Sequence, residues 1–181
     1  MPPPEVTRRL AGVPVPWWIC GGRALQLYAG VAWRVHADTD VGIQRRDLPR
    51  LVSHLPDWLL TPKVPASATG GSAPAHSSPT VLIAEHPDGD RFDLVISDGD
   101  TDDWISRSDP SVRMPWERAV LITANGVPIV APEIELFGKS RHPRPKDAVD
   151  ARFVIPRLSA SRAAWLARAL PLKHPWRSLL R

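Results

Sequence analysis

The sequence predicts an α+β fold, in which a mixed sheet flanked by helices forms the core and helices alone form the C-terminal part. The first observation is that short strand-like runs, such as Trp17–Cys20, alternate with helical patterns as far as residue 130. The second is that apolar residues recur at helical spacing from Pro132 onward. The third is that 181 residues with 43% hydrophobic content can bury one substantial core. We therefore expect a core over residues 1–130 and a basic helical part over residues 131–181.

Each element of the first third of the chain follows from a local signal. Leading prolines, a glycine pair and a potential helix N-cap at Asp47 divide the chain into segments. Leu25 and Ala29 lie four residues apart, which is the spacing of one helix face. The elements predicted here are a helix over 4–11, a strand over 17–20, a helix over 22–29, a strand over 38–44 and a helix over 47–55.

The rest of the chain begins with a change in composition. Residues 62–79 are rich in Ala, Ser, Pro and Gly and show no periodicity, which predicts a flexible loop that serves as a lid or only as a linker. The Asn125-Gly126 pair predicts a hairpin turn between two short strands. The elements predicted beyond the loop are strands over 80–84, 91–96, 119–123 and 127–130 and helices over 133–139, 146–153 and 160–170.

Charge is distributed unevenly along the chain. The formal net charge is +4, but residues 139–181 hold eleven Lys and Arg against two Asp. Such a basic segment favours an anionic partner, either the phosphates of a small molecule or a nucleic acid. A solvated basic helix surface is the alternative interpretation.

The sequence argues against a disulfide-bonded protein, a secreted protein and a membrane protein. Cys20 is the single cysteine, so neither an internal disulfide nor a CxxC zinc site can form. Residues 1–12 contain no apolar segment of the kind found in signal peptides. No run approaches the roughly 18 apolar residues of a membrane span. We therefore expect a cytoplasmic protein that does not enter a membrane.

Two aspartates stand one residue apart in an apolar setting. On a strand, Asp38 and Asp40 would project from the same face, where each carboxylate raises the pKa of the other. A divalent cation such as Mg²⁺ would hold both ionised. Asp93 lies in a second strand-like run, and three converging carboxylates can hold two Mg²⁺ ions about 4 Å apart for phosphoryl chemistry.

The glycine pair Gly21-Gly22 follows a predicted strand and opens a predicted helix. Glycines in such a turn let backbone N–H groups approach phosphate oxygens, and a helix N-terminus favours negative charge. The turn is therefore a candidate site for a triphosphate whose α-phosphate reaches the metal ions.

Four motifs occur in a fixed order along the chain. They are GGRALQLYAG at 21–30, RVHADTDV at 34–41, RFDLVI at 91–96, and Lys139 followed by KDAVD at 146–150. In these motifs the chain resembles nucleotidyltransferases of the DNA polymerase β-type fold. It is most similar to their aminoglycoside 2''-adenylyltransferase and lincosamide nucleotidyltransferase branch. Arg23 and Gln26 stand where that branch usually has Trp and often has an acidic residue, and these departures concern the acceptor pocket.

The resemblance implies a polymerase β-type core that transfers a nucleoside monophosphate from an NTP, with ATP as the expected donor, to an acceptor hydroxyl. It implies that Asp38 and Asp40 bind the two Mg²⁺ ions. It also implies that Asp93 completes the second metal site and helps to activate the acceptor hydroxyl as a general base.

The same resemblance assigns nucleotide contacts. Gly21, Gly22 and Arg23 would hold the β- and γ-phosphates. Lys139 could neutralise triphosphate charge, or only compensate the dipole of its helix. Asp150 could orient that lysine or contact the nucleotide, or form an ordinary pair within its helix.

The functional hypotheses differ mainly in the molecule that accepts the nucleotide. The preferred acceptor is a small, antibiotic-like molecule, and the acidic run Asp98, Asp100, Asp102 and Asp103 could attract a cationic one or simply be solvated. One alternative is a toxin-type nucleotidyltransferase that modifies RNA or protein, which the basic C-terminal part favours. Another is a nucleotide-binding module without catalysis, against which the presence of all three aspartates argues. A homodimer is left open.

Overall fold

The computed structural model describes residues 1–63 and 80–180. Its strands are β1 (Trp17–Cys20), β2 (Asp40–Gln44), β3 (Leu59–Pro62), β4 (Val81–Glu85), β5 (Arg91–Ser97), β6 (Asp103–Ile105), β7 (Arg113–Pro115), β8 (Val120–Ile122) and β9 (Pro128–Val130). Within the described residues, seven strands form one mixed sheet in the order β3-β4-β5-β2-β1-β9-β8, and β6 pairs with β7 in a second, two-stranded sheet.

Helices flank this sheet and form the C-terminal part. They are α1 (Pro3–Arg9), α2 (Gly21–Ala29), α3 (Leu48–Ser53), α4 (Trp116–Ala119), α5 (Pro132–Ser140), α6 (Pro145–Val154) and α7 (Ala160–Ala169), with 3₁₀ turns at Arg45–Asp47, Ile155–Arg157 and Pro175–Leu179. None of the described helices has the length and apolar character needed to cross a bilayer. The predicted α+β class is confirmed.

The strand β2 lies at the centre of the sheet and determines which side chains meet. It pairs antiparallel with β1, so that Cys20 lies opposite Asp40, and parallel with β5, so that Asp40 lies beside Asp93. Val41 and Ile43 alternate with these positions and are fully buried on the other face. One face of three neighbouring strands therefore belongs to the core, and the other carries two aspartates side by side.

The C-terminal helices pack on the core through a second apolar cluster. Leu25 of α2 joins Phe137 of α5, Val154 of α6 and Leu166 of α7 in this cluster. The packing explains why the apolar residues beyond Pro132 recur at helical spacing. The boundary predicted after residue 130 stays a prediction.

The strand predicted over 38–44 is shorter in the structure, because β2 begins at Asp40. The reason is that β1 ends at Cys20, opposite Asp40, and the chain then turns into α2. Asp38 consequently has no partner on β1 and lies before the strand, at the surface.

Other differences concern segments that local patterns did not reveal. The predicted loop over 62–79 overlaps the end of β3, an unpredicted edge strand paired with β4, and from residue 64 it lies outside the described residues. The acidic run contains β6, which pairs with β7. The hairpin across Asn125-Gly126 is confirmed by the pairing of β8 with β9.

Candidate active site

The turn from β1 into α2 brings Gly21 directly against Asp40. Gly21 has a φ angle of +69°, and a Cβ built on it would overlap the Asp40 carboxylate. The position therefore needs glycine for two reasons, its left-handed backbone and its lack of a side chain. The first glycine of the predicted pair and the second predicted aspartate are thus in contact.

Asp40 carries negative charge that its surroundings do not balance. Burial, together with the carboxylates of Glu135, Asp38 and Asp93, raises the pKa of Asp40 to about 6. Asp93 is only 2% exposed, and it lies beside Asp40 in the parallel register. A site with this surplus of carboxylate oxygens suits a hard divalent cation.

The three predicted carboxylates do not form a finished metal site in this conformation. Among residues 1–63 and 80–180, no three acidic, His or Cys side chains are arranged so that they could hold one ion. Asp38 lies at the surface before β2, and the Asp93 carboxylate accepts a hydrogen bond from Lys63 Nζ. Lys63 was not predicted, because it follows β3 and comes near Asp93 only when β3 pairs with β4 and β4 with β5.

Glu135 is a second site residue that the sequence analysis missed. Its Oε2 atom accepts a hydrogen bond of 2.9 Å from the backbone N–H of Gly21, which joins α5 to the glycine turn. Its charge is also the largest carboxylate contribution to the raised pKa of Asp40. The available signal was a pair of acidic residues in the first turn of a helix, which is ordinarily explained by the helix dipole.

The second glycine, Gly22, leaves room for Arg34 and His36. A Cβ on Gly22 would overlap the Arg34 guanidinium and the His36 ring. Arg34 Nη1 donates to His36 Nδ1 over 3.0 Å, so a neutral His36 carries its proton on Nε2. His36 Nε2 is buried and has no hydrogen-bond partner within the described part of the chain. Burial, together with Arg34 and Arg23, lowers the pKa of His36 to about 4, so the ring is neutral at pH 7.

Arg23 supports the segment that leads to Asp38. Its Nη2 atom donates to the backbone oxygen of His36 over 3.1 Å, and its Nε atom lies 3.5 Å from the backbone oxygen of Asp38. The predicted phosphate contact of Arg23 stays a prediction, and the structure places its guanidinium beside the loop between α2 and β2.

Lys139 and Asp150 lie together beneath the glycine turn. Lys139 Nζ is 2.8 Å from Asp147 Oδ1, 3.4 Å from Asp150 Oδ2 and 3.7 Å from Glu135 Oε1. Burial opposes the charge of Lys139, but Glu135 and Asp147 outweigh it and raise the pKa of the ammonium group. Lys139 is therefore a charged residue that is already surrounded by carboxylates.

Asp150 connects this cluster to the loop before β2. Its carboxylate is fully buried and accepts hydrogen bonds from Arg34 Nε (2.8 Å), Arg34 Nη2 (2.9 Å) and Trp33 Nε1 (2.9 Å). The pair with Arg34 joins residues 116 positions apart, so the expected pair within one helix is not what forms. Asp150 instead fixes the guanidinium that contacts His36.

Two cavities of about 300 Å³ each meet at Asp40. The first, here the polar cavity, is lined by Gly21, Asp40, Glu135, Gly138, Lys139, His142, Arg144 and Asp147. The second, here the apolar cavity, is lined by Trp18, Cys20, Gly21, Asp40, Val95, Ser97, Trp104, Val130, Ile134, Glu135 and Gly138. The site thus offers charged groups on one side of Asp40 and largely apolar ones on the other.

Solved structures share this architecture. A crystal structure of ANT(2'')-Ia in complex with adenylyl-2''-tobramycin matches with a TM-score of 0.58 and 16% identity, over 92% of this chain and 95% of that one. A solution structure of ANT(2'')-Ia matches with a TM-score of 0.57 and 15% identity, over 97% and 91% of the two chains. The lincomycin-bound lincosamide antibiotic adenylyltransferase LnuA matches with a TM-score of 0.56 and 14% identity, over 83% and 92%.

No protein-family model matches the chain, and no curated protein matches it. At identities of 14% to 16%, likeness to solved structures shows a common fold. The chain therefore has the mixed-sheet fold of these solved structures, which confirms the fold that the resemblance of its motifs implied.

Proposed function

We propose that this chain is a metal-dependent nucleotidyltransferase that transfers AMP from ATP to a hydroxyl group of a small-molecule acceptor. The observation that carries the proposal is the contact of Gly21 with Asp40, which lies beside Asp93 in the sheet. A glycine turn for phosphates and paired carboxylates for metal ions are the two components that this chemistry needs.

Asp38, Asp40 and Asp93 are the residues that would hold Mg²⁺. Their carboxylate oxygens are the ligand type that Mg²⁺ prefers, and the pKa of Asp40 is raised by burial and then by three neighbouring carboxylates, so the donor set fits a cation. Bound Mg²⁺ would neutralise phosphate charge and stabilise the leaving pyrophosphate. In the structure Lys63 donates a hydrogen bond to the Asp93 carboxylate, so Lys63 has to move away before Asp93 can bind a metal ion or accept a proton.

The start of α2 offers donors for phosphate oxygens. The His36 ring lies against Gly22, at the N-terminal end of a nine-residue helix, and its Nε2–H has no partner among residues 1–63 and 80–180. A buried donor without an acceptor is costly, and a phosphate oxygen would satisfy it. Arg23 supports the same segment and would add a positive charge.

Asp93 is the proposed base for the acceptor hydroxyl. It takes the hydroxyl proton while the acceptor oxygen bonds to the α-phosphorus and the bond from that phosphorus to pyrophosphate breaks. Its burial beside Asp40 fixes its position through the sheet rather than through a flexible loop.

The structural neighbours support a small molecule as the acceptor. ANT(2'')-Ia was solved with adenylyl-2''-tobramycin, and the lincosamide antibiotic adenylyltransferase LnuA was solved with lincomycin. Both bound molecules are small antibiotics or derivatives of one. The expected cytoplasmic location stays a prediction, and a homodimer stays open.

Calorimetry of ATP and of GTP, each with and without Mg²⁺, tests the donor half of the proposal. We expect Mg²⁺-dependent ATP binding to the wild type and its loss in the Asp38→Asn/Asp40→Asn double variant, since the substitutions remove ligand charge with little change in volume. Asp57→Asn is the matched control, because Asp57 is exposed and outside the site.

Transfer of labelled AMP from ATP tests the reaction itself. Full activity of an Asp40→Asn variant would contradict the metal assignment. ATP binding with no transfer to any acceptor would favour the binding module, and label that appears on RNA or protein would favour the toxin-type alternative.

A further inference from the structure

We propose that the acceptor is a small uncharged molecule with an aromatic or aliphatic body and a free hydroxyl, and that it binds in the apolar cavity. The proposal rests on the proposed function, because it assigns the acceptor side of that reaction. The apolar cavity measures about 300 Å³, is lined mainly by apolar side chains and has Asp40 and Glu135 at one end.

The floor of this cavity is the sheet face that also carries the site aspartates. Trp18 and Val95 lie on either side of Gly42 in the sheet register. A Cβ on Gly42 would overlap the Trp18 indole, so the glycine lets this ring lie close against β2. The floor is therefore apolar and continuous across three strands, and it ends at Asp40.

The walls come from elements outside the central strands. Trp104 belongs to β6 and is half-buried, while Ile134 belongs to α5 and Val130 to β9. An indole and two branched aliphatic side chains above an apolar floor favour a flat or aliphatic body, whose burial drives binding. Ser97 is a polar group within this lining that can orient such a molecule.

The geometry of displacement assigns the apolar cavity to the acceptor rather than to the phosphates. In an in-line displacement the attacking oxygen and the leaving pyrophosphate lie on opposite sides of the α-phosphorus. Of the two cavities, the polar cavity is the one lined by cationic side chains, Lys139 and Arg144, and a leaving pyrophosphate there would compete for them with Asp147, with which both now pair. The apolar cavity lies next to it and shares Asp40 at their junction.

Arginines of the same chain already pair with three of the four carboxylates of the acidic run, Asp98, Asp100 and Asp103. Asp98 pairs with Arg45 over 2.7 Å and also with Arg107, and Asp103 pairs with Arg113 over 3.4 Å. These arginines balance the acidic side chains within the chain itself. Asp102 is exposed and has no ion pair among the described residues, so the run keeps one unpaired carboxylate rather than a row, and the cationic acceptor considered from the sequence is less favoured.

A comparison of acceptors in a Trp104→Ala variant tests this proposal. Trp58→Ala is the matched control, because Trp58 is another half-buried indole that packs against Phe92 and does not line the cavity. The probes are chloramphenicol and thiamphenicol for the uncharged apolar class, tobramycin for the polyamine class and bulk tRNA. Direct binding of chloramphenicol without ATP or Mg²⁺ is measured by calorimetry, and transfer is measured with labelled ATP.

We expect an apolar probe to bind and to be modified, with a kcat/KM above that of tobramycin. Trp104→Ala should lower that kcat/KM by about tenfold or more and leave Mg²⁺-dependent ATP binding unchanged. The proposal would be overturned if tobramycin or tRNA were the preferred acceptor, or if neither apolar probe reacted. It would also be overturned if Trp104→Ala lost ATP binding, because that result would assign the cavity to the nucleoside. Absence of Mg²⁺-dependent ATP binding in the wild type is a separate result, which would overturn the proposed function first.

Discussion

The carboxylate of Asp40 lies where the Cβ of any residue other than glycine at position 21 would be. This contact joins the end of β1, the start of α2 and the first residue of β2. The proposed phosphate turn and the proposed metal-binding carboxylate are therefore one packed unit, and a side chain added at position 21 would displace Asp40.

Gly21→Ala should abolish Mg²⁺-dependent ATP binding, because the added methyl group displaces the Asp40 carboxylate. Gly30→Ala is the matched control, since Gly30 has a nearly identical φ of +67° but open space where an added Cβ would lie. Both variants should lose about 1 kcal/mol of stability from the left-handed backbone. Calorimetry measures the loss of ATP binding, and chemical denaturation measures the loss of stability. Equal ATP affinities in the two variants would contradict the importance of the contact between Gly21 and Asp40.

Asp40→Asn should stabilise the metal-free protein at pH 7. Folding raises the pKa of Asp40 from 3.8 to about 6, so its ionisation costs folded-state stability as pH rises through this interval. The full cost above pH 6 is roughly 3 kcal/mol at most. Denaturation in EDTA from pH 4 to pH 8 should show that the free energy of unfolding of the variant rises relative to that of the wild type as pH increases. A difference in stability that does not change with pH would argue against the raised pKa of Asp40.

His36→Ala should weaken ATP binding about tenfold or more, because it removes the buried Nε2–H donor beside Gly22. His54→Ala is the control, since His54 is exposed at the end of α3. The pKa of His36 is lowered to about 4, so its contribution should not change between pH 6 and pH 8. Unchanged affinity in His36→Ala would remove His36 from the phosphate site.

Lys63→Met should lower the Mg²⁺ concentration needed for half-maximal ATP binding. The Lys63 ammonium group contacts the Asp93 carboxylate and competes with a metal ion for it. Lys173→Met serves as a control at an exposed lysine far along the chain. A Mg²⁺ titration followed by calorimetry measures the effect, and a higher Mg²⁺ requirement would mean that Lys63 assists binding instead.

The sequence by itself determined the components of the site that depend on local chemistry. A glycine pair between a strand and a helix, and aspartates within apolar strand-like runs, predicted the turn at Gly21 and the convergence of Asp40 with Asp93. They also led to the nucleotidyltransferase fold, which solved structures confirm. These features are readable because turn geometry and strand alternation involve residues only a few positions apart.

Only the tertiary structure decided which distant groups share the site. Glu135 binds the Gly21 backbone 114 positions away, and Asp150 binds Arg34 across 116 positions. The early end of β1 likewise left Asp38 outside the strand on which it was expected. Such contacts depend on how α5 and α6 pack against the sheet, and that packing is selected by the burial of the whole core rather than by any local run of residues.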